Sequence, residues 1–148
     1  MKRNAFTLVE LLIVVVILGI LAAVVIPQFT DASTDARMSS LTTNLATIRG
    51  QIELYKLQHG GKYPNLTTPV TFVDAMTKKT DVTGTVKVTG KYGPYLQAIP
   101  NNPFTVPPAN DVTNTAAAAT KAWNYDETTG AFIANDGGTT NGTAHSAL

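Results

Sequence analysis

The hydrophobic pattern begins with a stretch that has no polar face. From Leu11 to Ile26 sixteen consecutive residues are apolar or glycine, and Phe6, Leu8 and Val9 extend the stretch toward the start of the chain. As a helix, Phe6–Ile26 would be about 31 Å long, which is enough to cross the hydrocarbon core of a bilayer. Because apolar residues surround the whole circumference, the pattern predicts a membrane-spanning helix and not a surface helix of a soluble protein.

Beyond Pro27 the pattern becomes one-sided. Apolar residues recur at spacings of three and four, which is the period of an amphipathic helix: Leu41, Leu45, Ile48, Ile52 and Tyr55. His59-Gly60-Gly61 predicts the end of this helix, because glycine readily adopts the left-handed conformation of a C-terminal cap. We therefore predict one long helix over about Phe6–His59, made of a hydrophobic part (6–27) and an amphipathic part (28–59).

Residues 60–136 predict a small α+β head that covers the apolar stripe. A short helix is predicted with Thr68 as N-cap and Pro69 at its first position, and its apolar side contains Phe72, Val73 and Met76. The alternation in Thr85–Thr89 predicts a short strand.

A hairpin is predicted around Asp126–Gly130, with Trp123–Tyr125 and Ala131–Ile133 as its antiparallel strands. Trp123, Tyr125 and Phe132 are expected in the core, the alternative being an aromatic platform for a ligand. Residues 137–148 are rich in Gly, Thr and Ala and are predicted to be a flexible tail.

A single carboxylate interrupts the apolar segment. Placing a charge at the midplane of a bilayer costs about 2.5–3.5 kcal/mol, so Glu10 is expected to have a function. Lys2 and Arg3 precede the segment, which places the N-terminus in the cytoplasm and exports the residues after Pro27. A cleaved secretory signal also begins with basic residues, but its apolar region is shorter, roughly 7–15 residues.

The sequence Phe6-Thr7-Leu8-Val9-Glu10-Leu11-Leu12-Ile13-Val14 resembles the prepilin signature of type IV pilins and type II secretion pseudopilins. The resemblance implies a pilin fold, an α+β architecture in which a long N-terminal helix packs on a small C-terminal antiparallel sheet. It also implies that residues 1–5 are a leader, that a prepilin peptidase cuts between Ala5 and Phe6, and that the new amine of Phe6 is methylated. The family usually has Gly where this chain has Ala5.

Cleavage would create an ammonium group next to apolar residues, and this gives Glu10 a function. An ammonium and a carboxylate that both lose hydration are more stable when they pair. If the amine belongs to a neighbouring subunit, the pair sets the axial register of assembly. The alternative is an interfacial Glu10 whose side chain extends to the lipid headgroups.

Gly19 and Pro27 are predicted to weaken the same helix. Pro27 has no N–H group and its ring clashes with the carbonyl of Ala23. The resemblance implies that the span Gly19–Pro27 unwinds in the assembled filament, and the alternative is a simple kink.

Resemblance to the major pseudopilins extends into the head, through Gly61-Lys62-Tyr63-Pro64, the segment Gly93–Phe104 and the aromatic ending. Members of that branch use calcium in an acidic loop, and Asp136-Gly137-Gly138 resembles this loop. This implies a calcium site with Asp136, Asp111 and Asp126 as ligands and Glu127 as a further oxygen donor. The alternative is that these acids are solvated turn residues, in which case the protein has no cofactor.

Composition agrees with an exported subunit and excludes several other classes. The chain has no Cys, so the head depends on packing or on a metal. The formal charge is +1 and the sequence has no Lys/Arg cluster, which argues against dedicated nucleic-acid binding. The two histidines belong to no catalytic motif. We therefore expect no enzyme and no catalytic residues.

The sequence predicts a filament subunit, with the major pseudopilin of a type II secretion system as the first hypothesis. The alternatives are a type IV pilin for adhesion, motility or DNA uptake, and a monomeric single-pass protein with a small binding head. The expected partners are identical subunits, minor pilins or pseudopilins, the prepilin peptidase and an inner-membrane assembly platform. The precursor is expected in the bacterial inner membrane, with the head periplasmic or extracellular after assembly.

Overall fold

The computed structural model describes residues 6–67 and 70–148 of the chain. It contains two α-helices, five short strands and a closing 3₁₀ helix: α1 (Leu8–Gln58), α2 (Phe72–Thr77), β1 (Val112–Thr113), β2 (Trp123–Tyr125), β3 (Phe132–Ala134), β4 (Thr139–Thr140), β5 (Thr143–Ala144) and the 3₁₀ helix His145–Ala147. This is the α+β architecture, with one long N-terminal helix and a small C-terminal sheet, that the sequence predicted.

The chain divides into two units within α1. The first unit ends at Ala36, and the second, Arg37–Leu148, contains the last part of α1 together with all other elements. The sequence instead placed boundaries at 27 and 59, where composition changes. The difference arises because the apolar stripe of the last part of α1 is buried in the core of the second unit and so belongs to the head.

The sheet of the head has the order β1-β2-β3. Strands β2 and β3 are antiparallel and pair Trp123 with Ala134 and Tyr125 with Phe132, which confirms the predicted hairpin. Strand β1 pairs with β2 in parallel, and the sequence did not predict it. Strands β4 and β5 form a separate antiparallel pair.

The core joins α1 to this sheet. All five residues of the predicted stripe are buried, from Leu41 to Tyr55, and they form one cluster with Trp123, Tyr125 and Phe132. The polar atoms of the two large aromatic residues have partners: Trp123 Nε1 donates to Pro100 O at 2.9 Å and Tyr125 Oη donates to Pro64 O at 2.9 Å. The predicted core role of these aromatic residues is confirmed.

The C-terminal end of α1 is built as the glycine pair indicated. Gly60 and Gly61 have φ values of 66° and 84°, and Gly61 N donates to Lys56 O at 2.8 Å. A left-handed residue after a helix allows the chain to satisfy a carbonyl of the last turn. The helix therefore stops where the head begins.

The start of α2 differs from the prediction. Thr68 and Pro69 lie outside the described residues, and the helix begins at Phe72 with Thr71 as its N-cap. Thr71 Oγ1 accepts a hydrogen bond from Asp74 N at 3.2 Å, which satisfies one of the free N–H groups of the first turn. Phe72 and Met76 are buried as expected, whereas Val73 is 42 % exposed.

The predicted strand Thr85–Thr89 is wrong. Val86 forms one isolated bridge with Thr80, and Val88 is 94 % exposed in a turn. Asp81 Oδ1 accepts from Thr83 N at 2.9 Å and from Thr85 N at 3.1 Å, so its carboxylate closes a local turn in place of strand pairing. The Lys87 ammonium, with Nζ 2.6 Å from Asp81 Oδ2, and after it the hydrogen bonds of the turn hold the pKa of Asp81 well below its ordinary value.

Asp126 closes the β2–β3 hairpin in a similar way. Its carboxylate accepts from Thr128 N at 2.8 Å and from the hydroxyl groups of Thr128 and Thr129 at 2.6 and 2.9 Å, and these bonds lower the pKa of Asp126 to about 2. Because the folded pKa lies below the unfolded value of about 3.9, the stabilisation is present near neutral pH and is lost as the pH falls toward 2.

We therefore expect Asp126→Ala to lower the urea midpoint of the full chain in detergent at pH 7, and this difference from the wild type to shrink between about pH 4 and pH 2. Circular dichroism measures the midpoint. Asp126→Asn keeps an acceptor oxygen without the charge and serves as the control. A difference that is constant from pH 7 to pH 2 would show that the charge contributes nothing.

Candidate assembly site in the N-terminal helix

In the described part of the first unit, residues 6–36, no residue is buried. Its large apolar side chains from Phe6 to Phe29 are exposed, for example Phe6 at 76 % and Leu8 at 79 %. Helix α1 is long and apolar enough to cross a membrane. Because so much apolar surface is unstable in water, this segment needs lipid or other helices around it.

The carboxylate of Glu10 is held at the start of α1 by its own chain. Glu10 Oε2 accepts from Thr7 N at 2.9 Å and from Thr7 Oγ1 at 2.9 Å, and Glu10 N donates to Thr7 Oγ1 at 3.2 Å. This reciprocal arrangement is a capping box, in which the side chains of two residues three positions apart satisfy each other's backbone N–H groups. Glu10 thus has a partner inside the subunit.

Sequence reasoning missed the role of Thr7. The signal was present, since Thr-x-x-Glu directly before an apolar run is the pattern of a capping box.

The geometry leaves Glu10 accessible to a second partner. Its side chain is exposed, and both hydrogen bonds from Thr7 fall on Oε2; within residues 6–67 and 70–148 no donor contacts Oε1. Phe6, the residue predicted to carry the new amine, is also exposed. Ala5, on the other side of the predicted cleavage site, lies outside the described residues, so the cut between Ala5 and Phe6 stays a prediction.

Gly19 and Pro27 do not interrupt α1, which continues through both positions. A Cβ atom on Gly19 would meet no heavy atom within 4 Å. Because Pro27 has no N–H group, the carbonyl of Ala23 loses its helical partner. The predicted break therefore stays a prediction for the assembled state.

The three aspartates of the predicted calcium site have separate structural roles. Asp111 Oδ1 accepts from Ala122 N at 3.1 Å beside strand β2, Asp126 closes the hairpin, and Asp136 contacts His145. Across residues 6–67 and 70–148 no three His, Cys, Asp or Glu side chains are placed to hold a metal ion together. The structure does not bring the three predicted ligands together, because each carboxylate accepts hydrogen bonds from its own neighbourhood, and the calcium site stays a prediction.

Known proteins are similar in sequence to the N-terminal segment of this chain, and some of them are similar over most of its length. Residues 1–26 match the family described as Prokaryotic N-terminal methylation motif. The chain is 33 % identical over 103 residues to the type II secretion system core protein G of Pseudomonas aeruginosa. The aligned residues cover 70 % of this chain and 69 % of that protein. The chain belongs to the type II secretion core protein G family. The core protein G of Vibrio cholerae is 31 % identical over 103 residues, which covers 70 % of this chain and 66 % of that protein.

A pilus protein is also similar to this chain, over a shorter range than the core protein G of Pseudomonas aeruginosa. The Type IV narrow pilus major component PilA5 of Thermus thermophilus is 36 % identical over 61 residues, which covers 41 % of this chain and 53 % of that protein. Since α1 ends at Gln58, an alignment of 103 residues necessarily includes part of the head. The likeness to core protein G therefore extends beyond the N-terminal helix. No solved structure matches the chain significantly.

Proposed function

We propose that this protein is the structural subunit of a helical filament, the major pseudopilin of a type II secretion system. The observation that carries the proposal is the first part of α1, in which the large apolar side chains from Phe6 to Phe29 are exposed and Glu10 lies within the matched methylation motif, in a chain whose likeness to core protein G includes the head. Such a helix has a stable place only in a bilayer or among copies of itself.

Assembly follows from the two charged groups of the mature N-terminus. A prepilin peptidase cuts between Ala5 and Phe6 and methylates the new amine, which then meets Glu10 Oε1 of a neighbouring subunit. Each copy offers one amine and one carboxylate, so the contact is heterologous, and repeated contacts of this kind that do not close into a ring give an open helical polymer. Inside the polymer the pair is buried, and a misplaced subunit leaves both charges unpaired.

The remaining partners follow from the same scheme. The precursor is inserted once in the inner membrane with Lys2 and Arg3 in the cytoplasm. An assembly platform in that membrane adds subunits, and minor pseudopilins share the filament. The head lies in the periplasm or outside the cell after assembly. The homologous proteins are named a core protein of a secretion system and the major component of a pilus, and we assign no enzymatic activity to this chain.

A type IV pilus is the second candidate, supported by the 36 % identity to the narrow pilus component of Thermus thermophilus. In that case the filament would serve adhesion, motility or DNA uptake. The chemistry of assembly is the same in both, because both depend on Phe6 and Glu10.

The test uses protein purified from the native envelope. We expect mass spectrometry to find a chain that begins at a methylated Phe6, and electron microscopy to find filaments. A chain that still begins at Met1 and stays monomeric would contradict the proposal. Deletion of the gene separates the two candidates: retained secretion cargo indicates a pseudopilin, whereas loss of surface fibres with normal secretion indicates a pilus.

A further inference from the structure

The C-terminal segment of the head ends on a buried pair of polar side chains. His145 Nδ1 lies 2.7 Å from Asp136 Oδ1, and the two side chains are only 3 % and 2 % exposed. Since an ionised carboxylate only accepts hydrogen bonds, Nδ1 donates. On the other side of the ring, His145 Nε2 lies 2.9 Å from Thr140 Oγ1 in strand β4. His145 therefore links the 3₁₀ helix to β4 and to the end of β3.

The second carboxylate oxygen of Asp136 connects this pair to a distant loop. Asn102 Nδ2 donates to Asp136 Oδ2 at 2.7 Å and also to Ala122 O at 2.9 Å, while Asn102 Oδ1 accepts from Phe104 N at 2.9 Å. The ring of Phe104 lies against the imidazole, with 4.0 Å between ring centroids. The pair thus joins three parts of the head: the 102–104 loop, the end of β3 and the C-terminal segment.

Gly138 shows that the backbone is shaped around the pair. A Cβ atom at this position would lie 2.8 Å from Asp136 Oδ1 and 2.9 Å from His145 Nδ1, which is closer than real side chains allow. Gly138 N also donates to Asp136 Oδ1 at 2.7 Å. The absence of a side chain at 138 is therefore required by the position of these two groups.

The calcium implied by the family resemblance does not fit here. Calcium takes about six to eight oxygen ligands, and Asp136 is the one carboxylate in this network. Both of its oxygens already accept hydrogen bonds, from His145 and Gly138 on Oδ1 and from Asn102 on Oδ2. A cation on Asp136 would have to displace donors that the fold places there.

We propose that the Asp136–His145 pair fastens the C-terminal segment 137–148 to the head without a metal ion. The imidazole N–H group donates a hydrogen bond to the Asp136 oxygen that a calcium ion would otherwise contact. The head would then be independent of calcium, and the segment would stay ordered as long as both side chains are present.

The first test compares calcium with EGTA, using the full chain in detergent. Trp123 is the single Trp of the chain and is fully buried, so its fluorescence reports unfolding of the head. We expect the same thermal midpoint in EGTA and in calcium at about 5 mM, above the 10⁻⁴–10⁻³ M dissociation constants of weak extracellular calcium sites. A midpoint that rises with calcium would overturn the proposal.

The second test measures hydrogen exchange of segment 137–148 by mass spectrometry. We expect His145→Ala and Asp136→Ala each to accelerate exchange there at least tenfold, with β2 and β3 still protected, and the double variant to exchange no faster than the worse single variant. Gly138→Ala should loosen the same segment. Thr143→Ala, an exposed residue of the same strand pair, is the matched control.

The outcomes are distinguishable in every case. Exchange in His145→Ala equal to the wild type, or acceleration in Thr143→Ala as large as in His145→Ala, would contradict the proposal. If His145→Ala prevents folding altogether, His145→Gln, which keeps a donor group, should restore folding and intermediate protection. A His145→Gln variant with the exchange rates of the wild type would show that the imidazole has no special role.

Discussion

Replacing Glu10 with Ala is expected to abolish filament assembly while the precursor still inserts into the membrane. The substitution removes the carboxylate that would pair with the amine of a neighbouring subunit and leaves that ammonium unpaired in a site without water. Breaking a buried ion pair by removing one partner costs about 3–5 kcal/mol, which corresponds to a loss of roughly 10²–10⁴-fold in the association constant of each subunit. Quantification of sheared filaments and of the membrane-bound precursor measures the two effects separately.

Two further variants separate the ion pair from the capping box. Glu10→Gln keeps an oxygen that can accept from Thr7 N and Thr7 Oγ1 but removes the charge, so it should assemble as poorly as Glu10→Ala. Thr7→Val keeps the charge and loses the side chain of the cap, which costs about 0.5–2 kcal/mol of helix stability, so it should assemble better than either. Normal filaments in Glu10→Gln would show that Glu10 acts as a helix cap and that its charge does not set the axial register between subunits.

The elements that the sequence predicted well are those in which burial depends on periodicity. The stripe from Leu41 to Tyr55 and the alternation around Trp123 and Phe132 are buried because a helix and a strand each present one face to the core. Local side-chain bonding explains the failure at Thr85–Thr89. Its alternation resembles a strand, but the Asp81 carboxylate accepts from Thr83 N before the segment and from Thr85 N at its first residue, so a turn forms in place of strand pairing.

The C-terminal segment was predicted as flexible and is ordered. Its composition is polar, yet Asn141-Gly142 has φ values of 51° and 80°, as a two-residue hairpin turn with positive φ at both positions requires. This dipeptide is a strong local hairpin signal. The small residues around it lack the alternation of apolar and polar side chains that would have predicted the two strands. The contact of His145 with Asp136 could not be predicted, since nothing in the spacing of nine residues indicates that both side chains are buried.

The sequence was more informative about the assembly residues Phe6 and Glu10 than about the predicted calcium ligands. The motif Phe6–Val14 identified Glu10 and Phe6 because a carboxylate in an apolar helix has few explanations. The structure does not group the predicted calcium ligands, and short acidic turns look alike in sequence. Asp126 and Asp136 each precede a Thr- or Gly-rich loop, but only the structure shows that one closes a hairpin and the other contacts an imidazole.

Trp123→Ala is expected to destabilise the head by about 3–5 kcal/mol, the usual range for removing a large aromatic residue from a core. The side chain is fully buried, its ring lies 5.4 Å from that of Phe132, and its loss also leaves Pro100 O without the indole N–H. Urea unfolding of the full chain in detergent, followed by circular dichroism because the variant has no Trp, measures the change. Val88→Ala is the matched control, since Val88 is 94 % exposed and should change stability by at most about 0.5 kcal/mol.

The same variant tests whether the two units of the chain depend on each other. The first unit ends at Ala36, and the core residues that cluster with Trp123 belong to the second unit, so insertion of the first unit into the membrane should be unaffected by Trp123→Ala. The variant subunit would then insert into the membrane with Glu10 unchanged but with a destabilised head. Few filaments should form, because the heads of neighbouring subunits can no longer pack against one another. Abundant filaments from this variant would show that the N-terminal helix alone is sufficient for assembly.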